Sequence, residues 1–319
     1  MNKDISIVVP IYYEEENIFP LYERLKEVVA NEMGLDYEII FINDGSKDDS
    51  VKNIKKLREQ DDGIKLINFS RNFGHQVAVT AGLEHTNGEV SVIIDADLQD
   101  PPELIIDMYE KYKEGYDVVY AKRKSRAGES FFKKKTAKVF YRLLDFISEV
   151  DIPLDTGDYR LISKRVVAQL NNMTEKNRFI RGLVTWVGFK QTYVEYNRDE
   201  RYAGETGYSL SKMIKFSLDG ITSFSTFPLK IATIFGTLIS GVSFIYILRI
   251  IYLKYFTEKT IQGWSSIMVS NLFLGGIILL TLGILGEYIG RIYTELKNRP
   301  QYIIKDKYGF SEEEKDAER

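Results

Sequence analysis

Two stretches without a single charged side chain, Ile231–Leu248 and Ile267–Gly286, constrain this chain more than any other feature of it. Each runs about 18 to 20 residues, the length at which a helix rising 1.5 Å per residue crosses a hydrocarbon core about 30 Å thick. Lys230 and Arg249 bracket the first, Glu287 and Arg291 close the second, and Trp264 with several tyrosines sits near the ends like an interfacial belt. The mean hydropathy of -0.20 averages these stretches with a charge-rich N-terminal part and so conceals a two-part chain. The patterning predicts a soluble domain over residues 1–208, an interfacial amphipathic helix over 209–227, two transmembrane helices within 228–290 (about 229–252 and 266–289) and a tail over 291–319.

Orientation follows from the placement of cations. The loop Lys254–Ser266 carries two lysines and one glutamate, whereas the segment after the second stretch holds Arg291, Lys297, Arg299, Lys305 and Lys307. Both termini are therefore expected on the cytoplasmic side of a plasma membrane, with the soluble domain facing the cytosol. Met1–Pro10 has only a brief apolar run followed by acids, so no signal peptide is read there. The absence of Cys fits a reducing compartment and excludes disulfide scaffolds. With two His residues, a metal would sit on oxygen ligands. A net charge of -3 gives no general reason to expect nucleic acid as a partner.

In the soluble part, apolar runs at Ile5–Val9, Glu38–Ile42, Lys65–Phe69, Val90–Ile94 and Asp117–Ala121 read as buried strands separated by crossover-length helical segments. This alternation predicts an α/β fold with a mostly parallel, doubly wound sheet. Such sheets bind ligands outside the carboxyl ends of their strands. Those ends present Pro10, Tyr12 and Glu14, then Asn43, Asp44 and Gly45, then Ser70–Gly74, then Asp95, Asp97 and Gln99, then Arg123. Five loops converging on acids, an amide and an arginine predict a binding cleft.

Asp95-Ala96-Asp97 closes the fourth strand. Carboxylates at i and i+2 on an extended segment project to one side, where they can grip Mg²⁺ or Mn²⁺ and leave positions for a diphosphate. An isolated Asp-x-Asp occurs in many acidic loops; its continuation Leu98-Gln99-Asp100-Pro101-Pro102 is far more specific. Gln99 reads either as a neighbouring ligand or as a cap on the next helix.

Together with Ile7-Val8-Val9-Pro10-Ile11-Tyr12-Tyr13-Glu14-Glu15-Glu16-Asn17-Ile18, Asn43-Asp44-Gly45-Ser46, Ser70-Arg71-Asn72-Phe73-Gly74 and Asp155-Thr156-Gly157-Asp158-Tyr159-Arg160, this motif resembles the inverting family 2 glycosyltransferases of GT-A fold. With two carboxy-terminal stretches, the chain to about residue 300 is similar to the polyprenyl-phosphate glycosyltransferases of bacteria, and within them to bactoprenol glucosyltransferases; dolichyl-phosphate mannose synthases are more distant. The resemblance implies that Pro10, Tyr12, Glu14 and Asp44 hold the nucleoside, and that Asp97, Asp95 and Gln99 bind the metal that bridges the donor diphosphate. It places Asp158 beside the anomeric carbon, as a base or an electrostatic stabiliser, with Asp155 second to it. It assigns Arg123 to phosphate; Arg126, Lys135, Arg160 and Arg201 are further candidate cations by their placement, each equally readable as an ordinary surface charge. Arg201–Tyr208 resembles a mobile loop closing over the donor, although Thr206-Gly207 stand where family members often have Ser-Lys.

Phe131–Phe146 and Leu210–Phe227 combine cations with apolar stripes and read as interfacial helices that bring the domain to a lipid head group. The expectation is a membrane-anchored enzyme that transfers one sugar, glucose by preference, from a UDP-sugar to polyprenyl (undecaprenyl) phosphate. The resemblance also implies a homo-oligomer, a tetramer among the options. A processive polysaccharide synthase is disfavoured because no Gln-x-x-Arg-Trp segment is present, and a non-catalytic sugar-nucleotide scaffold because the acidic and basic set is intact.

Overall fold

The computed structural model describes residues 3–124, 156–176, 178–197, 227–256 and 263–310. The five apolar runs become strands β1 (Lys3–Ile11), β2 (Tyr37–Asn43), β3 (Ile64–Phe69), β4 (Gly88–Ile93) and β5 (Val118–Arg123). Their Val and Ile content suits a pleated surface buried on both faces. Ile5, Ile7, Val9 and Ile11 of β1 pack in one cluster with residues of α1 (Ile18–Lys26), α2 (Ser50–Gln60) and α4 (Leu104–Lys113). Val8 faces the other way, toward α3 (His75–Glu84), where a Cβ added to Gly82 would lie 2.3 Å from Val8 Cγ1. Helices thus cover both faces of the sheet, and the small residue at 82 lets α3 seat against it.

Three further strands extend the sheet, and two of them run against the rest. Among the described residues the sheet order is β7-β5-β6-β4-β1-β2-β3-β8, with β6 at Thr156–Ser163, β7 at Gln191–Tyr196 and β8 at Ile304–Tyr308. Strands β4, β1, β2 and β3 are mutually parallel, but β6 runs antiparallel between β4 and β5, and β8 runs antiparallel on β3. The sheet is therefore mixed: mostly parallel, with β6 and β8 antiparallel among the described strands. The reason is geometric: β5 ends and β6 begins at the same edge, Lys122 pairing with Thr156, so β6 must run back. Helix α5 (Lys164–Asn172) follows β6 and α6 (Ile180–Trp186) precedes β7.

The segment read as a tail from 291 onward contains β8. Tyr302 stacks on Phe69 with ring centroids 5.0 Å apart, and Ser70 donates its N–H to Ile303 O at 2.9 Å. This strand covers the β3 edge that would otherwise offer unpaired backbone groups. Five residues with alternating lysines carry too short a pattern to be read as a strand from sequence.

The described residues fall into two compact units: the sheet with its helices and residues 299–310, and a helical unit formed by α7 (Phe227–Phe256) and α8 (Trp264–Leu296). These helices have 30 and 33 residues, about 45 and 50 Å at 1.5 Å per residue. Among the described residues, one helical stretch, Phe273–Leu296, is long and apolar enough to cross a membrane. In α7 the apolar stretch Ala232–Tyr246 is shorter, ending before Arg249. The candidate span also lies further toward the C-terminus than the 266–289 read from sequence, because it runs past Glu287 and Arg291, which pair at 3.0 Å one turn apart. The interfacial helices expected near 131–146 and 210–227 lie outside the described residues, apart from Phe227.

Candidate active site

The parallel strands end together at one edge, and the loops there are tied to one another. Pro10 sits inside a central strand without breaking it. Val8 O accepts from Ile94 N at 3.1 Å on the β4 side and Ile11 O accepts from Asp44 N at 2.9 Å on the β2 side. Alternation then turns the Pro10 nitrogen toward β4, beyond its last pairing at Val8–Ile93, where no donor is needed. The following turn places Tyr13 at φ 59 and leaves Tyr12 half exposed, the two rings edge to face at 4.6 Å. Tyr13 N–H donates to Ser46 Oγ at 3.0 Å, and Asn17 Nδ2 donates to Glu14 Oε2 at 2.5 Å.

Asp44 is buried, and both of its oxygens accept loop amides: Phe73 N–H at 2.6 Å and Gly74 N–H at 2.9 Å. Burial raises its pKa, and these two donors oppose the rise. The structure thus gives Asp44 a loop-holding role alongside any contact with a nucleoside. Gly45, at φ 77, presses on the same loop; a Cβ there would meet Arg71 C at 2.5 Å. A positive φ and a backbone contact this close together require glycine.

Strand β4 stops at Ile93, so Asp95-Ala96-Asp97 lies in a turn rather than on the extended segment expected. Asp97 is buried and its Oδ1 accepts Gln99 N–H at 3.2 Å, across a turn in which Leu98 takes φ 58. A bulky residue in that region marks a backbone held by its surroundings. The Asp95 side chain is 31% exposed. Its pKa rises to about 6: burial raises it, His75 opposes, and Asp158, Asp100 and Asp97 add repulsion.

Asp158 comes from the start of β6, which reaches this edge because the strand is antiparallel. Arg181, on α6, grips it with Nε 2.8 Å from Oδ1 and an Nη 3.2 Å from Oδ2. His75 Nε2 stands 3.2 Å from Asp158 Oδ2 and 3.7 Å from Asp95 Oδ1, bridging two carboxylates far apart in sequence. Gln76 Nε2 reaches Asp158 Oδ2 at 3.4 Å. Burial alone would raise the Asp158 pKa, but the charges of Arg181 and His75 hold it well below the usual range. Burial alone would depress the His75 imidazolium; Asp95 and Asp158 outweigh it and bring its pKa to about 9.

Arg123 closes the cleft beside Gly157. Its Nε donates to Tyr196 OH at 3.3 Å, an Nη lies 3.9 Å from Asp100, and a Cβ on Gly157 would come 3.1 Å from the guanidinium. Tyr196 OH donates to Asp100 in turn. Arg160, expected among the phosphate cations, is fully buried, and its guanidinium donates to the carbonyls of Gly157 and Asp158 at 2.9 and 3.1 Å. It braces the strand from inside and is not presented to solvent. Arg126, Lys135, Asp155 and Arg201 lie outside the described residues.

The structure brings together Asp95, Asp97, Asp158 and Arg123, with the loops of Tyr12, Glu14 and Asp44 at the same edge. It adds His75, Gln76 and Arg181. The first two directly follow the Ser70–Gly74 motif, so reading that motif two residues further would have found them; Arg181 carries no comparable local signal. Among the described residues, no group of three or more His, Asp or Glu side chains gathers closely enough to hold a metal alone. The donor set still fits a hard cation that takes one or two carboxylates and completes its shell with diphosphate and water, because Asp95 is crowded by negative neighbours.

The structure is thus a mixed α/β sheet of GT-A type with acids and an arginine gathered at the carboxyl edge of its parallel strands. Residues 6–170 match Glycosyl transferase family 2, and the chain belongs to that family. It is 57% identical to the uncharacterized glycosyltransferase YkcC of Bacillus subtilis (strain 168), over 96% of this chain and 94% of that protein. It is 45% identical to the prophage bactoprenol glucosyl transferase homolog of Escherichia coli (strain K12), over 94% of this chain and 98% of that one. The bactoprenol glucosyl transferase of Shigella phage SfX is 43% identical over 95% of this chain and 99% of its own length.

Proposed function

We propose that this glycosyltransferase moves a single glucose, with inversion, from UDP-glucose to a polyprenyl phosphate such as undecaprenyl phosphate on the cytoplasmic face of a bacterial plasma membrane. The observation that carries the reading is the meeting of Asp95 and Asp158 through His75, with Arg123 beside Gly157 at the same edge. The names of the relatives, similar over nearly the whole chain, support the lipid acceptor and the sugar.

In this reading the nucleoside lies over the loops of Pro10, Tyr12, Glu14 and Asp44. Asp95 and Asp97, with Gln99 beside them, would hold Mg²⁺ or Mn²⁺. That ion, when bound, neutralises the charge that builds on the departing nucleoside diphosphate. Arg123, held by Tyr196 and set over Gly157, offers its guanidinium to the acceptor phosphate. An oxygen of that phosphate attacks the anomeric carbon, the bond to the diphosphate breaks, and UDP leaves. The acceptor needs no proton removed, since the second pKa of a phosphate monoester is about 6. Asp158 keeps a negative charge near the sugar, where positive charge develops in an oxocarbenium-like transition state. The helical unit anchors the enzyme: α8 crosses the bilayer and α7 is its partner span, giving cytoplasmic termini and domain boundaries near 208 and 291. Assembly into a homo-oligomer such as a tetramer belongs to the same reading.

The test is transfer from a panel of radiolabelled UDP- and GDP-sugars into organic-extractable lipid, with full-length protein, polyprenyl phosphate and Mg²⁺ or Mn²⁺. Acid-labile lipid label from UDP-glucose, abolished by a chelator, is expected. Label found only in polymer, or donor binding without turnover, would overturn the proposal.

A further inference from the structure

The Asp158 carboxylate is heavily engaged. Arg181 takes both of its oxygens, at 2.8 and 3.2 Å, and His75 and Gln76 converge on Oδ2 at 3.2 and 3.4 Å. Arg160 adds a buried guanidinium 3.7 Å from Oδ1. Gln76 is itself fixed at its other end, its Oε1 accepting Ile180 N–H at 3.0 Å. The residue that aims at Asp158 from α3 therefore also clamps the first turn of α6, and the next residue of α6 is Arg181. A general base needs an oxygen open to the proton it takes and a pKa near the working pH. Asp158 has cations and an amide on its oxygens instead.

We propose that Arg181 and Gln76 are positioning residues of the catalytic constellation: they lock Asp158 as a fixed, ionised carboxylate, and Asp158 acts through this clamp rather than by accepting a proton. This rests on the reaction proposed above and deepens it. The bidentate fork explains why an arginine stands at 181, since a lysine could neutralise Asp158 without fixing the plane of its carboxylate. Gln76 fits its place because it supplies a donor to Asp158 and an acceptor to Ile180 N–H at once.

The experiment is a double-mutant cycle in full-length protein with wild type, Asp158→Asn, Arg181→Gln and the double variant, each assayed for transfer from UDP-glucose to polyprenyl phosphate. Each single change is expected to lower kcat about 100-fold with the donor KM moved less than about threefold, and the double to fall within about threefold of the worse single. Arg181→Lys should recover activity only in part. The acidic limb of the kcat/KM profile should persist in Asp158→Asn, because it belongs to the acceptor phosphate with its second pKa near about 6. A full additional loss on adding Asp158→Asn to Arg181→Gln, disappearance of that limb, or wild-type kcat in Arg181→Gln would each overturn the proposal. Wild-type turnover in the same assay tests the reaction separately. Thermal unfolding of the same four proteins tests the clamp without any substrate: non-additive shifts support it, and additive shifts overturn it.

Discussion

The two ends of the sheet use buried charge in opposite ways. At the amino end, Glu38 is buried: one oxygen accepts Ser6 Oγ at 2.5 Å and Asn87 N–H at 2.7 Å, and Lys65 Nζ lies 2.9 Å from the other as an ion pair. Ser6 Oγ in turn accepts Gly88 N–H at 2.8 Å. One negative charge meets one positive charge and two donors, which joins β1, β2, β3 and the start of β4. At the carboxyl end, Asp95, Asp97, Asp100 and Asp158 gather around His75, Arg181 and Arg123. Burial, with repulsion from Asp158, Asp100 and Asp97 added and His75 opposing, lifts Asp95 to about 6. A single matched ion pair stabilises a fold; several acids crowded together, one of them with a raised pKa, mark a place built to receive charge.

Breaking each end should therefore have a different signature. The largest effect is expected at the carboxyl end: Asp97→Asn should cut transfer about 100- to 1,000-fold, with unfolding temperature little changed. Normal turnover in that variant, still sensitive to chelator, would remove Asp97 from the site. Next, Gly157→Ala should shift the Arg123 guanidinium by a few tenths of an ångström and raise the KM for polyprenyl phosphate about threefold while leaving donor binding in place, as titrations with each substrate would resolve.

The amino end should respond in stability instead. Glu38→Gln leaves Lys65 facing a neutral group and is expected to cost about 1 to 3 kcal/mol, read by denaturant unfolding, with kcat per folded molecule unchanged. A loss of kcat there would blur the distinction between the two ends.

The smallest effect concerns pH. His75 rises from 6.5 to about 9 in the folded protein, so its stabilising contribution is complete below about pH 6.5 and disappears as pH climbs through about 9. Wild type should lose unfolding temperature over that interval, and His75→Gln should lack this part of the slope. Parallel curves would show that the imidazolium does not bridge the two acids.

Much of this molecule was legible from periodicity alone. Runs such as Ile39–Ile42 and Val90–Ile93 announced buried strands because burial on both faces admits little else, and the polar residues after several of these runs come together at one edge of the sheet. The motif residues Asp95, Asp97, Asp158 and Arg123 were all visible as types. What could not be read was the direction of β6, the role of Ile304–Tyr308 as an edge strand, and the inward turn of Arg160. Those depend on pairing partners distant in sequence, and a local pattern carries no information about them.

The amino-acid sequence by itself determined the alternation of strands and helices, the loops that gather acids at one edge, and the long apolar stretches beyond residue 227. Tertiary structure alone decided that Asp158 faces His75 and Asp95, that Arg181 clamps it, and that Asp44 gives both oxygens to loop amides. The physical reason is that hydrophobic periodicity acts over a few residues, whereas the charge state and hydrogen bonds of a carboxylate are set by whichever groups the fold brings within about 4 Å of it.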